Sequence, residues 1–147
     1  MTPDDARLPP LVAWLGYGGL LPFAALSVAI ALHPQGSGAL QAALLQYAGL
    51  ILSFVGALHW GLAMRLPAGR LRNVLLAWSV VPCLLAWLAL QLPVVAAALV
   101  LEYGYALHWA FDRKLARGAG APAWYPALRP RLTVGAMAAL LLPLLHP

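Results

Sequence analysis

Glu102, Tyr105, His108 and Asp112 follow one another at steps of three and four residues. On a helix such steps keep neighbours on one side, so the four form a slowly winding polar stripe. Each can hold and pass a proton, and the chemistry this suggests is a proton relay or a set of ligand contacts. Glu102 lies roughly 15 Å along such a helix from Arg113. In a bilayer that depth is near the midplane, where an acidic side chain costs on the order of 2.5–3.5 kcal/mol. Glu102 is therefore expected to face the bundle interior, either as part of a path or as a hydrogen-bonded clamp between helices.

A second group rests on repetition. Ala57-Leu58-His59-Trp60 aligns without a gap on Ala106-Leu107-His108-Trp109. Each copy is followed within a few residues by arginine, so the two imidazoles are expected at about the same depth. Paired histidines on neighbouring helices could ligate a haem iron axially or frame a quinone headgroup. The plainer reading makes them interfacial His-Trp anchors, and no cofactor is predicted. Ser53 and His59 give the second helix a corresponding stripe. Nothing has the spacing of a zinc site, a c-type haem attachment, a nucleophile elbow or a phosphate loop. An enzyme is not expected.

The elements that must position these residues are membrane helices. Hydrophobic residues make up 63% of the 147-residue chain and charged ones 9%, more apolar surface than a soluble domain of this size can hide. A hydrocarbon layer takes about 20 apolar helical residues to cross, and five runs qualify or come close: 10–32, 40–64, 73–91, 94–111 and the shorter 132–145. The expected fold is an all-α integral membrane bundle of five transmembrane helices in a single domain. Pro122, Pro126 and Pro130 argue against one continuous helix through the loop before the fifth span. No cleaved leader is expected, because the start, MTPDDARLPP, is acidic. Cys83 lies within an apolar run, so no disulfide is expected.

The net charge of +5 does not indicate a nucleic-acid partner, because the basic residues occupy short segments between apolar runs. With five spans, all nine Lys and Arg fall on one side. The positive-inside rule makes that side cytoplasmic and the carboxyl terminus external, as for a multi-pass protein of a bacterial inner membrane. The implied partners are the lipid bilayer and other membrane proteins or further copies of the chain.

The shared Ala-Leu-His-Trp string, with weaker likeness around Pro22, Pro82 and Pro143, suggests a duplicated helical hairpin followed by one short helix. Gly49, Ser53 and Gly56 form a small-residue face suited to close helix packing. Gly16 and Gly19 on the first span are expected to supply a matching surface.

Several motifs resemble a known family. Leu15-Gly16-Tyr17-Gly18-Gly19-Leu20-Leu21-Pro22-Phe23, Tyr47, and Ser53-Phe54-Val55-Gly56-Ala57-Leu58-His59-Trp60-Gly61 carry the likeness, with Trp78-Ser79-Val80-Val81-Pro82, Asp112, Trp124-Tyr125, Leu128-Arg129 and Leu132-Thr133. Together they resemble the domain of unknown function 3429 family, bacterial relatives of the mitochondrial transmembrane protein 69. The resemblance implies a multi-spanning inner-membrane protein without an assigned activity or catalytic residues, and it does not extend to Glu102. The leading expectation is a structural or accessory membrane protein. Two alternatives stand beside it: a small proton-coupled transporter using Glu102, and a quinone or haem binder using His59 and His108.

Overall fold

The computed structural model describes residues 7–145 and is built from helices throughout. The first apolar run is two helices end to end, α1 (Pro10–Gly18) and α2 (Leu21–Leu32). The break has a local cause. Pro22 has no N–H to donate one turn back, and two glycines precede it, so the helix is not held across Gly19 and Leu20. Tyr47 covers the gap from a neighbouring helix: its hydroxyl donates to the Gly19 carbonyl at 2.9 Å, while its ring meets Phe23 edge-on.

A turn with Gly36 at φ +81° leads into α3 (Gly38–Met64), the longest helix at 27 residues. Then come α4 (Arg70–Ala89), α5 (Val94–Gly118) and α6 (Tyr125–Leu141), which ends in a 3-10 turn, Leu142–Leu145. The links between α3, α4 and α5 are short, which forces antiparallel neighbours. As a result the end of α3, the start of α4, the end of α5 and the start of α6 share one end of the bundle. Arg65, Arg70, Arg72, Arg113, Lys114, Arg129 and Arg131 all belong to that end.

Among the described residues, four segments are long and apolar enough to cross a membrane: Pro10–Leu32, Gly38–Met64, Arg70–Ala89 and Val94–Lys114. α6 is not among them. It has 17 residues, about 26 Å of helix, and carries Arg129 and Arg131 in its first half. The helix expected at 132 starts at Tyr125 and runs straight through the proline-rich stretch. Pro126 occupies its first turn, where a missing N–H costs nothing. Pro130 removes only one interior bond. α5 likewise continues through Asp112-Arg113-Lys114, because cations near a helix C-terminus suit its dipole.

Leu52, Leu101, Ile30 and Phe23 are fully buried at the centre. α3 packs most closely on α4. A Cβ on Gly56 would lie 2.8 Å from Pro82 Cγ, and one on Gly49 would lie 3.5 Å from the Ala86 Cβ. The two glycines therefore meet α4, not the first span. Gly16 faces Leu132 of α6, where an added Cβ would come within 3.1 Å. Gly19 approaches only its own helix and the Tyr47 hydroxyl. Ser53 makes no interhelical contact through its hydroxyl, which returns to the Gly49 carbonyl at 2.8 Å.

The proposed hairpin copies differ at their shared proline. Pro22 divides the first span into two helices, whereas Pro82 lies inside a continuous α4.

Candidate functional site

His108 and Asp112 are one turn apart on α5, so they share a face, and Tyr125 and Arg129 are related in the same way on α6. The two faces meet at the basic end of the bundle, where His59 enters from α3 and Trp78 from α4. His59 is 0% exposed, His108 1% and Asp112 2%. A cluster this deeply sealed must satisfy its own polar atoms or leave them at a cost.

Asp112 is the hub. Its Oδ2 accepts from Arg129 Nε at 3.0 Å, and its Oδ1 accepts from the Tyr125 hydroxyl at 3.0 Å. His59 Nε2 stands 3.3 Å from the same Oδ1, as an ion-pair contact without hydrogen-bond alignment. Burial raises the Tyr125 phenol well above its ordinary pKa, so it stays an O–H donor to the carboxylate. The Arg129 guanidinium also lies over the Tyr125 ring, 5.9 Å from its centre.

The two histidines touch edge to face, with ring centres 5.0 Å apart and planes at 85°. Axial haem ligation requires a porphyrin between two imidazoles, and rings in direct contact leave it no room. Trp78 Nε1 donates to His108 Nδ1 at 3.3 Å, and the Trp78 ring stacks on Phe111 at 3.7 Å. A neutral His108 that accepts at Nδ1 carries its proton on Nε2, which has no partner.

His59, His108 and Asp112 can each offer a ligand atom within 4.8 Å of the others, a set of the type that binds transition metals. Its surroundings oppose that use. Arg129 already neutralises the carboxylate, and the Trp78 N–H holds His108 in the tautomer whose Nε2 is a donor. The arrangement ties four helices together at a single carboxylate and its neighbours.

The remaining stripe residues do not join this cluster. Tyr105 is buried, and its hydroxyl donates to the Ala48 carbonyl of α3 at 2.8 Å, well towards the opposite end. Glu102 lies about 9 Å along α5 from His108. It is buried, and its Oε1 has no hydrogen-bond partner. The polar stripe is thus divided between a clamp on α3, an unpaired carboxyl oxygen and the four-helix cluster.

Tyr125, Arg129 and Trp78 were not singled out as site residues from the sequence. The four-residue step from Tyr125 to Arg129 signals one helical face, but the prolines around it concealed the helix. Ser27 was also missed. Its hydroxyl donates to the Ala139 carbonyl at 2.6 Å and fastens α2 to α6.

These features define an all-α, multi-pass membrane protein with a buried polar cluster at its basic end. The chain belongs to the family described as "Protein of unknown function (DUF3429)", which matches residues 8–145. It is similar to Transmembrane protein 69 of Xenopus tropicalis, with 36% identity over 143 residues, covering 92% of this chain and 53% of the relative. The chain thus spans about half the length of that relative. No solved structure matches it. Among the residues on which the family resemblance rests, His59, Trp78, Asp112, Tyr125 and Arg129 all converge on the polar cluster.

Proposed function

We propose that this chain is a non-enzymatic accessory protein of a bacterial inner membrane, a rigid helical scaffold that supports a larger assembly. The observation that carries this reading is Asp112, 2% exposed and bonded to two side chains of α6 beside His59 of α3. Groups that could move a proton are held there as interhelical ties. Tyr105 and Ser27 are used in the same way, each donating to a backbone carbonyl of another helix, and Tyr47 donates to the Gly19 carbonyl in the break between α1 and α2. Outward-facing Trp14, Trp87, Phe54 and Tyr103 offer apolar surface to lipid or to partner helices. The basic end faces the cytoplasm by the positive-inside rule.

Native electrophoresis of membranes solubilised in mild detergent tests the proposal. The chain should migrate within a species larger than its own monomer or dimer, and Asp112→Asn should release it from that species. Migration as an isolated monomer in every mild detergent would count against the scaffold.

The transporter reading draws on one observation, the unpaired Glu102 Oε1. It requires proton-linked flux in proteoliposomes that disappears in Glu102→Gln. The scaffold requires flux no greater than in empty vesicles.

A further inference from the structure

Beside the Asp112 cluster a pocket of about 230 Å³ opens at the basic end, walled by Trp109, Asp112, Arg113, Tyr125 and Arg129. A second hollow of about 110 Å³ runs along the bundle between α1, α3 and α6, lined by Leu15, Phe54, Val55 and Leu132. Arg129 is in the wall of both. The two spaces therefore adjoin at one cation, with a wall that carries charged residues on one side of it and an apolar groove on the other.

Arg129 is 7% exposed, yet only its Nε is hydrogen-bonded, to Asp112. Its two terminal nitrogens have no hydrogen-bond partner among the described residues. Trp109 Nε1 is buried and without a partner as well. Arg113 stands over the Trp109 ring at 5.1 Å, which brings a second guanidinium to the same wall. The single carboxylate there among the described residues, Asp112, is already neutralised by Arg129 and hydrogen-bonded by Tyr125. What is left is a set of donors with a net positive charge and, among the described residues, no free carboxylate in the pocket wall. One buried, unpartnered N–H, that of Trp109, beside two guanidiniums that have unused donors at the pocket wall calls for an acceptor-rich anion.

We propose that the pocket and groove together hold one anionic phospholipid. Its phosphodiester oxygens accept from the Arg129 terminal nitrogens, from Arg113 and from the Trp109 indole. One acyl chain follows the groove between α1, α3 and α6. A planar guanidinium suits two phosphate oxygens at once, and the end of a membrane bundle is the level at which headgroups lie. Basic pockets between transmembrane helices recognise anionic headgroups on these grounds.

The test uses the full chain purified in a neutral detergent, with dioleoyl phosphatidylglycerol, dioleoyl phosphatidylcholine and glycerol phosphate as probes. Native mass spectrometry and thermal unfolding are read together. Phosphatidylglycerol should bind as a single retained adduct and raise Tm, with phosphatidylcholine and glycerol phosphate having little effect. Arg113→Gln and Trp109→Phe leave the Asp112 contacts intact, and each should weaken phosphatidylglycerol binding about ten-fold, as loss of a charge-assisted or buried hydrogen bond does. Equal binding of the two lipids, or binding unchanged in both variants, would overturn the site. Stabilisation by glycerol phosphate equal to that by the lipid would overturn the assignment of the groove to an acyl chain.

Discussion

Arg129 and Asp112 pair at 3.0 Å through Nε and Oδ2, on different helices and with both side chains almost sealed from solvent. Burying two charges is expensive, and mutual attraction offsets that cost only when the remaining polar atoms are also satisfied. Here Tyr125 takes the second carboxylate oxygen, so the Asp112 side is satisfied, while the Arg129 side is bonded through Nε alone. The consequence is asymmetric. The intact pair adds modest net stability, but removing one partner leaves the other charge stranded.

The tyrosine hydroxyls grade this network. Tyr125→Phe removes a hydrogen bond to an ionised acceptor and should cost about 1.5–3 kcal/mol. Tyr105→Phe removes a neutral bond to the Ala48 carbonyl and should cost about 0.6–1.5 kcal/mol. Unfolding in mixed micelles with increasing denaturing detergent measures both. Equal costs, or a larger one for Tyr105, would contradict the weight placed on Asp112.

Packing of α3 on α4 gives a paired prediction. Gly56→Ala places a methyl 2.8 Å from Pro82 Cγ and 3.1 Å from the Ser79 carbonyl, so the helices must separate, at about 1–3 kcal/mol. Nothing lies within 4 Å of a Cβ on Gly61, and Gly61→Ala should stabilise the same helix by about 0.5–1 kcal/mol. The same unfolding assay reads both, and opposite signs are expected.

Glu102 contributes no tie between helices. Its Oε1 is buried and unpartnered, so Glu102→Gln keeps the shape and removes an unpaired acid. The variant should unfold no earlier than the wild type and leave vesicle proton permeability unchanged. A clear loss of stability would mean that Glu102 is a clamp after all.

How much of this was legible in the sequence follows from where each signal resides. Membrane helices are announced by long apolar runs, and the basic residues between them are a local, one-dimensional pattern. The spacing of His108 and Asp112 likewise placed them on one face. The partners of that face were not legible, because His59, Trp78, Tyr125 and Arg129 reach it from three other helices. Pro126 and Pro130 hid the start of α6, since a proline in the first turn reads as a breaker until the helix start is known. Glu102 drew attention through its depth, but depth alone does not say whether a partner waits there. Gly49 and Gly56 were recognisable as a packing face, while its partner, α4 instead of the first span, depends on the hairpin geometry.

The central claim, that Asp112 and Arg129 act as one buried tie holding α5 to α6, is tested most directly by a double-mutant cycle. Unfolding free energies in micelles are compared for the wild type, Asp112→Asn, Arg129→Gln and the double variant. Each single change should cost about 3–5 kcal/mol, the range for breaking a buried pair. The double variant should cost less than the sum by at least about 1.5 kcal/mol. Additive costs, or single variants within about 0.5 kcal/mol of the wild type, would contradict the tie.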